Sequence, residues 1–396
     1  MIKEPDSVKA GAESERGFGG PPLLSFLWPL FAATSAAHMT TSVLRFWSDL
    51  SSSESRDEAI ETAPDWTTQN EVRLELPTMR LRDFSTSDSG QVTLICAPYA
   101  LHQATIADFA PGHSVVQTLS KAGLSRVLVT DWRSASPEMR YFSIDSYLAD
   151  LNIAIDEFGA PVDLIGLCQG GWMALVYAAR FPHKVRRIVL VGAPIDVRAA
   201  SSNLTRGVAD VPLSTFDGLV RLGEGRILGK HVLNLWGRSL LARETDHVLQ
   251  EAPDDGDGHL VELEHRFNRW YKCVVDLPGT YYLQVVRDLF KDNHIAEGRF
   301  VALGRRIDLK SVCAPIFLLA GRDDELVHPQ QLFAVASLVG TPKHCLEKAL
   351  APCSHLSLFL GAQTMTGAWR NIAQWLRADL DTALASQAPT RSFPKI

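Results

Sequence analysis

Val162-Asp163-Leu164-Ile165-Gly166-Leu167-Cys168-Gln169-Gly170-Gly171 leads directly into an apolar, helix-periodic run that ends near Phe181. Val162 to Gly166 reads as a buried strand and Gly171 to Phe181 as a helix. The turn between them has the G-x-C-x-G spacing of a nucleophile elbow, with cysteine in place of serine. Such a turn is strained and packs its backbone tightly on the sheet, so small residues are needed. Gly166 and Gly170 supply them, and Gly171 lets the helix begin close to the strand. Cys168 then stands at a strand end beside a helix N-terminus, a position that favours the thiolate and lowers a thiol pKa. The amide of Gln169 falls where an oxyanion would form. A cysteine in a glycine-rich turn can also be a buried, inert thiol. Glycine spacing, preceding strand and following helix together argue for the nucleophile.

Outward from the elbow, apolar strands alternate with helical periods. Val92 to Cys96, Arg126 to Thr130 and Arg187 to Val191 read as strands; Val115 to Ala122 and Ser143 to Phe158, with Ser143 as its cap, read as helices. Apolar strands separated by helices predict a parallel sheet covered on both faces. The alternation stops near Pro194, and residues 196–305 are helical in pattern and rich in Trp and Tyr. The sheet signal resumes at Pro315 to Ala320. A helix at Pro329 to Val339, a strand at Cys345 to Leu350 and a helix at 363–385 follow. The predicted fold class is α/β, a doubly wound, mostly parallel sheet interrupted by a helical cap. A cap inserted after a strand lies over the carboxyl ends of the strands, where such folds bind ligands.

A general base and its orienting acid follow an elbow nucleophile in the order acid, then histidine. Gly321-Arg322-Asp323-Asp324 comes directly after the strand ending at Ala320. Asp324 is the preferred acid, with Asp323 as its competitor; either could instead cap the helix at Pro329. His355 is the preferred base over His328 and His344, because it alone follows the last strand and precedes an apolar stretch, Leu356 to Leu360. His355 would take the thiol proton and Asp324 would hold its tautomer. A second oxyanion donor is expected from the loop after the Val92 strand, at the amide of Tyr99 or Ala100.

The bulk properties limit the alternatives. The 396 residues carry 46% hydrophobic and 21% charged side chains, ordinary for a globular protein. A net charge of −6 argues against nucleic acid as the main partner. Six cysteines without a CxxC pair read as reduced thiols. No metal site and no resident cofactor are implied. Residues 1–66 are expected to comprise a disordered tail, an apolar helix at Pro22 to Ala37 and a polar, acidic linker at 51–66. The apolar stretch is too short to span a membrane, and Pro29 interrupts it. It reads as a helix docked on the core or adhering to an apolar surface such as a polymer granule. The main domain is expected over 67–385, with 386–396 as a tail.

These residues resemble the polyhydroxyalkanoate synthases and intracellular polyhydroxyalkanoate depolymerases, which share an α/β-hydrolase fold and a cysteine nucleophile. Gly166 to Gly171 is similar to the synthase box in its double glycine, and its Cys-Gln pair also occurs in the depolymerases. Thr130-Asp131-Trp132 with Phe142 to Tyr147, Gly192 to Asp196, and Asp276-Leu277-Pro278 with Tyr282-Leu283-Gln284 are similar to depolymerase segments. Gly304 to Leu309 and Ala320 to Asp324 are closer to the synthases. The likeness covers roughly residues 90–380 and implies Asp324 and His355 as the family's acid and histidine. Two departures stand out: Ser354 replaces the usual glycine before the histidine, and Leu356 to Gly361 replaces the synthase run after it.

The resemblance implies acyl transfer through an acyl-thioester enzyme, with coenzyme A entering only as a co-substrate. The departures after His355 favour depolymerisation of 3-hydroxyacyl esters. Alternatives are a polyhydroxyalkanoate synthase acting on 3-hydroxyacyl-coenzyme A, a shorter-chain esterase of the dienelactone hydrolase kind, and a non-catalytic granule-associated protein. The implied partners are a polyester or hydroxyacyl-coenzyme A, a granule surface and a second copy of the chain. The implied location is the cytoplasm, in solution or at granules.

Overall fold

Apolar runs of five to seven residues, bounded by turns, form the centre of one sheet. The computed structural model describes residues 64–230, 248 and 257–378. Its main strands are β1 (Glu71–Glu75), β2 (Met79–Asp83), β3 (Val92–Cys96), β4 (Arg126–Trp132), β5 (Val162–Leu167), β6 (Val185–Val191), β7 (Ile316–Gly321) and β8 (Leu346–Ala351). They pair in the order β1-β2-β4-β3-β5-β6-β7-β8. From β4 to β8 every pairing is parallel, while β2 runs antiparallel to both β4 and β1. All residues of β3, β5 and β7 are buried, as expected of strands covered on both faces. The antiparallel edge was not among the expected strands. β2 alternates buried Met79, Leu81 and Asp83 with half-buried arginines, and β1 is largely exposed, so neither gives a continuous apolar run.

The helices on the two faces include α1 (Val115–Lys121), α2 (Ile144–Asp156) and α3 (Gln169–Arg180). Ser114 caps α1 by accepting from the Gln117 N–H at 2.9 Å, and Ser143 stands at the N-cap of α2. α3 begins two residues before the expected start, because Gln169 and Gly170 already belong to its first turn. The run at Pro329 to Val339 forms two short helices, Pro329–Phe333 and Val335–Leu338, with a tight turn between them at Ala334. The last helical stretch is likewise broken by a π-turn at Met365–Trp369 before Arg370–Arg377. Its expected end at 385 lies outside the described residues, as do the tail at 386–396 and the apolar segment at Pro22 to Ala37. Of the stretch read as a linker, Trp66 packs on Phe84 (ring centroids 5.3 Å apart) and so belongs to the domain.

Between β6 and β7 the chain leaves the sheet. This insert contains α4 (Asn203–Asp210), α5 (Leu213–Leu222), α6 (Asp257–Lys272) and α7 (Gly279–Gln284), with two short ribbons, Arg226–Ile227 against Leu277–Pro278 and Val301–Ala302 against Arg305–Arg306. It is joined to the loops at the carboxyl ends of the strands. The Val275 N–H donates to Leu101 O at 2.7 Å and the Ala135 N–H to Asp276 O at 2.9 Å. Among the described residues, no helix is long and apolar enough to cross a membrane.

The elbow is where sheet and helix meet most closely. A Cβ on Gly170 would lie 2.1 Å from Cys96 O and 2.7 Å from Ala97 O. One on Gly166 would lie 2.4 Å from the Gly171 Cα, and one on Gly171 2.3 Å from the Ala193 Cβ. The first contact is with backbone atoms at the end of β3, which cannot swing away as a side chain can. Gly170→Ala is therefore expected to lower the unfolding free energy by about 3 kcal/mol, the upper part of the range for overpacking, in urea titrations.

Candidate active site

Cys168 sits between β5 and α3 with φ 48° and ψ −117°. Left-handed backbone of this kind in a non-glycine residue costs on the order of 1–3 kcal/mol and persists only where the surroundings enforce it. Here the Cys168 N–H donates to Val191 O at 2.8 Å and the Gly171 N–H to Cys168 O at 2.9 Å. The side chain is thereby lifted out of the sheet, half-buried rather than enclosed.

β7 and β8 deliver the other two groups. Asp324 follows β7, and its Oδ1 accepts from the N–H groups of Leu326 (2.9 Å) and Val327 (2.8 Å). Its Oδ2 is left to face His355 Nδ1 at 2.7 Å. His355 follows β8, and its Nε2 lies 3.2 Å from Cys168 Sγ. A carboxylate cannot donate, so Nδ1 carries the proton and Nε2 is presented to sulfur. Asp324 and His355 are both buried, at 6% and 4% exposure. The three residues thus form a continuous Asp–His–Cys chain. Asp323 is exposed and turned away, donating its N–H to Cys353 O. His328 instead caps the helix at Pro329 by accepting from the Gln330 N–H, and His344 is exposed.

Burial disfavours the imidazolium of His355, but the Asp324 carboxylate and the Cys168 sulfur outweigh it and hold the pKa well above the usual histidine range. The site therefore favours an ion-paired base. Cys96, at the end of β3, realises the inert alternative: burial pushes its thiol up to about 12 despite a hydrogen bond with Thr130.

The two segments expected to supply oxyanion donors are the α3 N-terminus and the loop after β3. Gln169 lies in the first turn of α3, where backbone N–H groups have no intrahelical acceptor. Its side chain is held away by Trp172 Nε1, which donates to Oε1 at 2.7 Å. The loop is fixed at Ala97, whose N–H donates to Thr130 Oγ1 (3.0 Å) and whose carbonyl accepts from Trp132 Nε1 (2.7 Å). Among the described residues, no acceptor takes up the N–H of Tyr99 or Ala100.

Three contributors were not singled out from the sequence. Gly192 has φ +55°, and a Cβ there would meet His355 Cε1 at 3.3 Å and Leu358 Cδ1 at 3.0 Å. Gly321 would meet Cys353 O at 2.6 Å. Both follow strand residues and precede loop residues, which is the available sequence signal. His113 gives no such signal: it is buried at 0% exposure and pairs through Nδ1 with Leu360 O at 2.6 Å, anchoring the short helix after His355. Among the described residues, one group with metal-ligand spacing occurs, Asp288, Asp292 and His294, on the insert rather than at the elbow.

A family model described as alpha/beta hydrolase fold matches residues 111–362. The chain belongs to this family. Among curated relatives, the poly(3-hydroxyalkanoate) polymerase subunit PhaC of Haloferax mediterranei is 26% identical over 84% of this chain and 68% of its own length. The subunit of the same name from a Synechocystis species is 28% identical over 70% of this chain and 76% of its own. That of Allochromatium vinosum is 25% identical over 70% and 79%. An epoxide hydrolase structure from Bacillus megaterium shares the fold, with a TM-score of 0.50 and 14% identity over 78% of this chain and 99% of its own.

Because the Asp324 carboxylate is the foremost group raising the His355 pKa, its loss has a signed consequence. In ¹⁵N NMR titrations the wild-type ring is expected to keep its second proton to a pH well above the usual histidine value, and to lose it as the pH rises through that raised pKa. Asp324→Asn is expected to move the titration to lower pH.

Proposed function

We propose that this protein is a cysteine-dependent hydroxyacyl transferase that polymerises 3-hydroxyacyl-coenzyme A thioesters. The observation that carries the reading is the hydrogen-bonded chain from Asp324 through His355 to Cys168, found in an α/β-hydrolase fold whose matched relatives bear a polymerase name. In the proposed cycle Cys168 Sγ attacks the thioester carbonyl, forming a tetrahedral oxyanion faced by the Gln169 amide and the loop after β3. Collapse breaks the bond to coenzyme A, whose sulfur takes the proton held on His355 Nε2. The hydroxyl of a second hydroxyacyl unit then gives its proton to His355 and attacks the acyl-thioester. This forms the new ester and returns Cys168 as thiolate beside the imidazolium. Asp324 fixes the ring throughout.

The same three groups could release the acyl unit to water, and the run after His355 favours that direction on sequence. The polymerase relatives, spanning 70–84% of the chain, weigh more, because their likeness extends well beyond that short run. The Pro22 to Ala37 segment offers a surface-seeking element for a growing polyester, although it lies outside the described residues.

The test offers purified protein 3-hydroxybutyryl-coenzyme A and, separately, amorphous polyhydroxybutyrate. Coenzyme A release with polymer formation is expected. Soluble monomers or oligomers from the polymer, without polymer from the thioester, would overturn the polymerase reading in favour of depolymerisation. Cys168→Ala is expected to lower kcat by about 10⁴-fold or more in either direction.

A further inference from the structure

Behind the elbow lies a cluster of three phenols, Tyr99, Tyr147 and Tyr281, each at 0–1% exposure and with ring centroids 4.6–5.2 Å apart. They come from three parts of the fold: the loop after β3, α2, and α7 of the insert. Phenylalanine would fill the same space, so the hydroxyls ask for a separate account. They form a directed set of hydrogen bonds around one residue. Tyr147 Oη donates to Tyr99 Oη at 2.9 Å, and Tyr99 Oη faces the carbonyls of Arg133 (3.1 Å) and Asp276 (3.3 Å). Tyr281 Oη lies 3.4 Å from the main-chain carbonyl of Tyr99 and 3.8 Å from Met173 Sδ of α3. Burial pushes all three phenols above their ordinary pKa, so they remain neutral donors.

The Tyr99 carbonyl belongs to the same peptide unit as the Ala100 N–H. In a planar trans peptide these two groups point in opposite directions, so holding one fixes the other. We infer that Tyr281, reaching from the insert, is a positioning residue that orients the Ala100 amide as the second oxyanion donor, while Tyr147 locks the Tyr99 side chain behind it. This rests on the reading of Cys168 as nucleophile and selects Ala100 over Tyr99 as donor. Tyr281 is itself seated, its N–H donating to Phe142 O at 3.0 Å. The preceding helix of the insert, α6, grips the loop further along. Trp270 Nε1 donates to Gln103 O at 3.1 Å, and the His102 ring stacks on Trp270 with centroids 4.5 Å apart. The insert is therefore tied to the loop after β3 at several points along its length.

The test uses a contrast in chemistry. Acyl transfer from p-nitrophenyl butyrate or 3-hydroxybutyryl-coenzyme A passes through an oxyanion. Alkylation of Cys168 by iodoacetamide displaces iodide at a saturated carbon and builds none. Tyr281→Phe is expected to lower kcat roughly tenfold, less than the 10²–10³ for deleting an oxyanion donor, with KM and the Cys168 alkylation rate unchanged. An undiminished kcat would overturn the proposal. So would a fall in alkylation rate equal to the fall in kcat, since that would place the effect on the Cys–His pair. Should Tyr281→Phe not fold, Tyr147→Phe takes its place: the same split is expected, and undiminished kcat there overturns the proposal. Retained acyl transfer in Cys168→Ala would instead remove the nucleophile assignment beneath it.

Discussion

The backbone of Gly170 rests against the carbonyls of Cys96 and Ala97, with no room for a side chain between. That contact brings the helix after the elbow onto the end of β3, and much of the site's geometry follows from it. It sets the α3 N-terminus beside the end of β3, from which the loop carrying Tyr99 and Ala100 leaves. With the Cys168 N–H held by Val191 O, it also enforces the left-handed backbone that lifts the sulfur out of the sheet. Local strain at one residue is thus maintained by close packing distributed over three strands.

The electrostatics depend on the same compactness. His355 is buried between Gly192, Phe359 and Asp324, an environment that by itself favours the neutral ring. Asp324 is kept from relaxing by two backbone N–H donors to its other oxygen, so its charge faces the imidazole. A buried charge without a partner is costly, which makes the pair interdependent. Cys168 is the least buried of the three.

The insert is more than a cover in this arrangement. Through Val275, Asp276 and Tyr281 it is hydrogen-bonded to the loops after β3 and β4, the same loops that border the elbow. The Asp–His–Cys chain, by contrast, is built on the ends of β5, β7 and β8 and is held by the sheet.

Much of this was legible along the chain. The strand-turn-helix around Cys168 is local, so glycine spacing and apolar periodicity suffice to place it. The order of Asp324 and His355 followed from the strands that precede them. The sequence left Asp323 against Asp324, and Tyr99 against Ala100, unresolved, because neighbouring residues differ only in the direction their groups point, which is a property of the folded loop. The antiparallel edge was missed because a half-exposed strand carries alternation rather than a continuous apolar run. The roles of Gly192, His113 and Tyr281 arise from contacts between segments far apart in sequence. Local pattern therefore determined which residues form the Asp–His–Cys chain. The tertiary structure decided which carboxylate faces the imidazole and what holds the loop after β3, because both depend on distances between strands that only the assembled sheet fixes.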